Sequence, residues 1–500
     1  MSRSARPRLS IFVALLVLLT AGAAQSASRS PLTFEVTLDP EVRSAPVSAR
    51  VYVMLGPADG EREPRLGPDW FRPQPFFAID AKDWTPGEPL RIGNEATGFP
   101  SPIETLEPGT YRVQAVVRLN PDTHNLGDGE GNAHGPVVTA RLDPKTGGRV
   151  RLTVDKIVPP RPFVETERIK LVDIPSPLLS AFHKRPIRQR AAVILPEGKR
   201  DQKRPTLYII PGFGGDHHMA FRVANDPRFA FGRDLIRVVL DPDCGTGHHV
   251  FVDSPTNGPR GEALIRELVP HIERTFPALS RPAARLLNGH SSGGWSSLWL
   301  QVQYPDTFGG VWSTSPDPVD FRDFQRIDLY AQGTDMFRDA DGQRRPIARR
   351  GNQPVLFYED FSRMEDVIGD GGQLRSFEAV FSPLGPDGKA QRLWNRQTGA
   401  IDLDVAKTWE AHDIRLVLER NWATLGPKLA GKLHVITGDL DTFYLEGAVA
   451  LLKDSLKALG SDAVVEVQPG KDHSNILDAR LAERLDQEMS EAVRLEAANR

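Results

Sequence analysis

The sequence predicts a mixed α/β protein, with a mostly parallel sheet carrying helices on both faces, preceded by an all-β, sandwich-like segment. Three observations lead to this. Beyond about residue 164, short apolar runs alternate with helix-length amphipathic stretches, the pattern of strands joined by crossover helices. From about 31 to 158, apolar and polar residues alternate singly in short stretches broken by Pro and Gly, the pattern of paired strands and turns. At Gly289-His290-Ser291-Ser292-Gly293 a glycine-flanked serine stands between a strand-like and a helix-like run.

Taken in chain order, residues 1–26 have the features of an export signal. Arg3, Arg6 and Arg8 precede the apolar run Ile11 to Leu19, and the small residues Ala21, Gly22, Ala23 and Ala24 follow. Cleavage is expected near Ala24 to Ala27. The run is too short for a stable membrane anchor, so the expected location is periplasmic or secreted. Cys244 is the only cysteine, so no intrachain disulfide is expected to support the exported fold. Five hundred residues with 40% apolar content suggest two or three domains, and a net charge of -3 gives no attraction for nucleic acid or an anionic membrane.

In the segment 31–158, Leu32 to Leu38, Val51 to Leu55 and Tyr111 to Val117 alternate as strands, with Val137, Val138, Val150, Leu152 and Val154 in two more. The loop Asn125 to Asn132 holds Asp128 and Glu130 among glycines, at spacings that do not match a calcium loop. Pro159-Pro160-Arg161-Pro162 then marks a stiff linker into a second domain, 164–500.

That domain opens with strands near Arg168 to Ile174 and Arg190 to Leu195. Thr206 to Ile210 is a central buried strand that ends in Pro211-Gly212-Phe213-Gly214-Gly215, and Ile236 to Leu240 is another. A helix is expected over Glu262 to Phe276, with Leu264, Ile265, Leu268, Val269, Ile272 and Phe276 on its buried face. The strand Ala284 to Asn288, the glycine-flanked serine and the helix begun by Trp295 form a strand, tight turn and helix. Gly310 to Thr314 is the next strand. Residues 331–430 have weak periodicity and include Trp394, Trp409 and Trp422, which suits a cap-like insertion. Two strands close the domain, Lys432 to Thr437 and Ala463 to Val467.

A serine on such a turn projects its hydroxyl above the sheet. It needs a base to take its proton, an acid to orient that base, and donors for an oxyanion. Where the serine sits on this elbow, acid and base follow it in the chain. The acid is expected at Asp441, with Asp439 in close competition, both after the strand that ends at Thr437. His473, after the last strand, is the expected base. Oxyanion donors are the amide of Ser292 and that of Phe213 or Gly214, where glycines allow the backbone to approach closely. Neither glycine cluster carries a phosphate-binding lysine or dinucleotide spacing, so no cofactor is expected. His217 and His218 could face substrate or solvent, and His248-His249 near Asp241 and Asp243 lacks a third ligand at a recognised spacing, so no metal is expected.

From about Ile169 onward the chain resembles the esterase D, or enterochelin esterase-like, branch of the α/β-hydrolases. The matching stretches are Pro211-Gly212-Phe213-Gly214-Gly215, Gly289-His290-Ser291-Ser292-Gly293-Gly294, Ser315-Pro316, Gly438 with Asp441, and Asp472-His473. Pro211 stands where many members carry a histidine. The resemblance implies hydrolysis or transfer of an acyl group through a serine ester, with Ser291, Asp441 and His473 as triad. The expected partner is a small-molecule or polymer-linked ester. Acyl transfer to an alcohol, peptide cleavage, and an inactive hydrolase domain serving as a binding module are the alternatives. The sequence does not set an oligomeric state.

Overall fold

Eight strands build the sheet that carries the second half of the molecule, in a computed structural model that describes Met1 and residues 31–198 and 202–498. The expected export signal and its cleavage positions lie outside the described residues. Among the described residues no helix is long and apolar enough to cross a membrane.

The strands are β1 (Ile169–Pro175), β2 (Arg188–Ile194), β3 (Thr206–Ile210), β4 (Ile236–Leu240), β5 (Arg285–His290), β6 (Gly310–Thr314), β7 (Leu433–Gly438) and β8 (Val464–Gln468). Their order in the sheet is β1-β2-β4-β3-β5-β6-β7-β8. β2 runs antiparallel to both neighbours, and from β4 onward every pairing is parallel. The central strands β3, β4 and β6 are buried along their whole length, so apolar residues predominate on both of their faces. Both faces of the sheet are covered by helices, and the carboxyl ends of β3, β5, β6 and β7 point to one edge. Ligand sites form at that edge in open α/β sheets.

Helix α1 (Ser292–Gln303) follows β5 and is buried nearly throughout. The helix expected over Glu262 to Phe276 is a continuous helical stretch from Arg260 to Thr275, with a π turn at Leu264–Leu268. Pro270 explains the irregularity, because its ring cannot sit in a regular helix without clashing with the preceding turn. Between β6 and β7 the chain forms a hairpin, Pro346–Arg350 with Gln353–Phe357, then α2 (Tyr358–Ile368), α3 (Gln373–Phe381), α4 (Leu403–Trp409) and α5 (Ile414–Leu429). Trp409 is fully buried among Phe321, Phe324 and Phe381, and its indole N–H donates to Ser382 Oγ at 2.9 Å. This aromatic group is packing.

The preceding residues form two sheets. One has three strands in the order Pro89–Ile92, Leu32–Leu38 and Gly148–Val154. The other has seven, with Gly109–Arg118, Val47–Pro57 and Phe76–Trp84 at its centre. Phe34, Val36, Leu152 and Val154 of the first meet Val51, Val53, Phe77 and Val117 of the second in one core. Tyr52, Met54, Phe76 and Val116 lie on the opposite face of the larger sheet and join the core built around the eight-stranded sheet. The central strands are therefore buried on both faces, and successive residues alternate between two cores.

Candidate active site

Ser291 sits in the turn between β5 and α1 with φ 60° and ψ -129°, a conformation that costs a non-glycine residue energy and persists only where its surroundings hold it. Its amide donates to Thr314 O at 3.0 Å, and its carbonyl accepts from the amides of Trp295 at 3.0 Å and Asp317 at 3.3 Å. A Cβ on Gly289 would lie 1.9 Å from Gly293 O, and one on Gly293 would lie 2.0 Å from Ile210 O. Small residues are obligatory there. The hydroxyl itself has no hydrogen-bond partner among the described residues and is free to meet a ligand.

Asp441, just past β7, has no exposed side-chain surface, and its Oδ2 lies 2.8 Å from His473 Nδ1. Oδ1 accepts the Phe443 amide at 2.9 Å. Burial would raise the Asp441 pKa, but the charge and hydrogen bond of His473 overcome this and hold it below the usual range. For His473, burial acts to lower the pKa, yet the Asp441 carboxylate outweighs it and the net shift is upward. Asp439 is exposed and does different work: its Oδ1 accepts the Gly470 amide at 2.7 Å, clamping the loop of Asp441 to the loop of His473. The structure thus brings Asp441, not Asp439, to His473. Residues separated by only two positions on one turn carry no sequence signal that distinguishes them.

The loop after β3 passes directly over the serine. A Cβ on Gly212 would lie 3.2 Å from Ser291 Cβ, and Gly214 has φ +80°. The amides of Phe213 and Gly214 donate to no backbone acceptor among the described residues, while the Gly215 amide is used on Gly212 O at 3.0 Å. His248 Nε2 anchors the loop at Pro211 O, 3.0 Å away. Burial lowers His248 to about 4, so it is neutral and can donate this bond. Ser292 opens α1, where the first amides have no helical acceptor.

His217 and His218 are neither solvated nor turned to the serine. His217 Nδ1 pairs with Asp241 at 2.9 Å, His218 Nδ1 lies 3.3 Å from Asp216, and Phe163 of the linker covers both rings. Asp216, His217 and His218 are the one set among the described residues that brings three possible metal ligands within 4.8 Å of one another. Asp241 pairs with His217, Phe163 packs on His218, and Arg161 lies 3.7 Å from Asp216.

Several residues beside the serine have no counterpart in the sequence reading. His290 lies 4.5 Å from the His473 ring, and burial drives it down to about 3, so it adds no charge there. Phe443 meets the His473 ring edge-on at 4.9 Å. Trp70, from the N-terminal β segment, touches Phe213, Phe361 and Phe443 at 5.7, 5.0 and 6.4 Å. Asp317 is buried beneath them. Trp70, Phe361, Phe443 and Asp317 line part of a cavity of about 10 Å³, room for about one water molecule. A tryptophan more than two hundred residues from the serine gives no local pattern by which to find it.

A parallel-dominated sheet in this strand order, with a serine on a strained turn between a central strand and its helix, defines an α/β-hydrolase. Residues 186–424 match the family model described as "Putative esterase". This match makes the hydrolytic part of the chain similar to that esterase family, and the protein is a hydrolase of ester bonds. None of the curated proteins matches the chain. Among solved structures it is similar to an S-formylglutathione hydrolase from Agrobacterium tumefaciens, at 14% identity and a TM-score of 0.40, over 65% of this chain and 94% of that one. It is also similar to a ferulic acid esterase from Anaeromyces mucronatus, at 14% identity and a TM-score of 0.32, over 66% of this chain and 93% of that one.

Proposed function

We propose that this protein is an exported serine esterase that works through an acyl-enzyme. The observation that carries the reading is the buried Asp441 carboxylate on His473 Nδ1 at 2.8 Å, beside a serine held at a strained strand-to-helix turn. With Nδ1–H donated to Asp441, the Nε2 lone pair of His473 is left to take a proton. Ser291 Oγ attacks the ester carbonyl carbon as His473 Nε2 accepts the hydroxyl proton. The tetrahedral oxyanion is held by the amide of Ser292 and that of Phe213 or Gly214. Collapse breaks the bond to the alcohol, which leaves with the proton from His473. Water, deprotonated by the same histidine, then cleaves the acyl-serine and regenerates the hydroxyl.

Residues 1–26 act as the export signal and place the mature chain in the periplasm or outside the cell. The substrate is a small-molecule or polymer-linked ester. A fluorophosphonate probe tests the nucleophile: mass spectrometry should find the adduct on Ser291, and Ser291→Ala should not label. Labelling at another residue, or none in an active preparation, overturns the assignment.

A further inference from the structure

The cavity beneath Trp70 has walls from both halves of the chain. Trp70 enters from the loop before Phe76–Trp84, Phe361 from α2, and Phe443 from the turn after β7. The walls are apolar except at three side chains. Gln373 Nε2 lies 3.5 Å from Ser292 Oγ, and Gln325 donates to Phe443 O at 3.1 Å and accepts from the Tyr358 hydroxyl. Gln325 is committed through both atoms of its amide. Asp317 differs: it is 5% exposed, one carboxylate oxygen meets Ser292, and Oδ2 is buried without any partner. A buried carboxylate oxygen left unpaired is costly, and a ligand that donates to it recovers that cost.

The position also matters for the chemistry. Asp317 is tied to Ser291 through its own amide and touches Ser292, whose amide faces the developing oxyanion. An ionised Asp317 disfavours negative charge at that point, and a donor or cation bound to Oδ2 offsets the repulsion.

We propose that this cavity is the subsite for the larger substituent of the ester, and that it takes a flat apolar group bearing a hydroxyl or ammonium donor, received by Asp317 Oδ2. The inference rests on the reading of Ser291 as an ester-cleaving nucleophile. The space now holds about one water, so a substituent enters by displacing a wall. Trp70 is the wall outside the hydrolytic sheet and is only partly buried, so its indole is the group that yields. It then stacks on the substituent.

Three ligands of one shape test this on the full chain: benzylamine, benzyl alcohol and ethylbenzene differ only in the terminal group. Each is measured as a competitor of 4-nitrophenyl acetate hydrolysis and, without turnover, by ligand-observed NMR. Benzylamine or benzyl alcohol should bind at least ten-fold more tightly than ethylbenzene, since a hydrogen bond to a charged acceptor is worth about that much. Asp317→Asn should erase the benzylamine advantage. That advantage should also fade as the pH drops through about 6, where burial places the Asp317 carboxyl. Trp70→Ala, which leaves the carboxylate in place, should weaken all three together. Equal binding of the three by the wild-type chain overturns the subsite, as does an order of affinity that survives Asp317→Asn. If 4-nitrophenyl acetate is not hydrolysed while the NMR preference is present and depends on Asp317, the subsite stands and the nucleophile reading fails.

Discussion

Ser291→Ala should lower ester turnover by about a million-fold, because a nucleophile and its base fail together, and leave the melting temperature close to that of the parent. Asp441→Asn should cost about ten-thousand-fold by permitting the wrong tautomer of His473. Asp439→Asn should cost far less, since its carboxylate holds the Gly470 amide rather than the imidazole. Steady-state kinetics on one chromogenic ester ranks the three, and a reversed order of the two aspartates would move the acid. The pH profile gives a separate check. The base must be unprotonated to act, and the His473 pKa is raised above its ordinary 6.5, so activity should fall as pH drops through a value above 6.5. In residual Asp441→Asn activity that limb should move to lower pH, because the carboxylate that raises the pKa is gone. At this scale the sequence held the residue types and their order, but not which of two aspartates two positions apart turns inward.

The elements around the serine are set by contact distances that allow little substitution. Gly293 lies at the start of α1, and a Cβ there would stand 2.0 Å from Ile210 O and 2.7 Å from Pro211 O. Both atoms are backbone, so Gly293→Ala must shift the loop whose amides are proposed to hold the oxyanion. A displacement near 1 Å can cost about a hundred-fold in turnover. Gly293→Ala should therefore lose at least that much in kcat and label slowly with a fluorophosphonate. A variant with parental kcat would show that the loop does not hold the oxyanion. The strand, turn and helix of this region were legible because local rules produce them: an apolar run, glycines at the clash points, and a 3.6-residue apolar spacing in the helix. The π turn before Pro270 was not, since a regular apolar face conceals one extra residue in the turn. The cap-like segment had weak periodicity for a related reason. Its helices α3 and α4 bury Phe377, Phe381 and Trp409 among other aromatics, with polar Ser376, Glu378 and Ser382 also buried, so burial there does not follow residue type.

Across the whole molecule, the N-terminal strands and the hydrolytic domain share a core and a set of helix-end contacts. Tyr52 donates its hydroxyl to Ile368 O at 2.5 Å, and Arg50 donates to Val367 O at 3.1 Å and Asp366 O at 3.0 Å. These are the last carbonyls of α2, which has no further turn to satisfy them. Met54, Phe76 and Val116 lie in the same apolar cluster as Phe361 and Met364 of that helix. The linker is seated too, with Phe163 against Phe221 at 4.9 Å and over the two histidines. Sequence periodicity showed a β segment but not that one sheet face belongs to another domain, because a strand buried on both sides reads like any apolar run. A chain shortened to begin near Pro160 should therefore be insoluble or lack a cooperative thermal transition, and should not label at Ser291, because removal exposes an apolar surface and leaves the end of α2 unsatisfied. Tyr52→Phe in the full chain is the milder form of the same test. It removes one donor to a buried carbonyl and should cost about 1–3 kcal/mol, read as a lowered midpoint in denaturant at unchanged slope. A soluble, cooperatively folding and labelled truncation, together with an unshifted Tyr52→Phe midpoint, would show that the two parts are stable independently and that their contact is incidental to the fold.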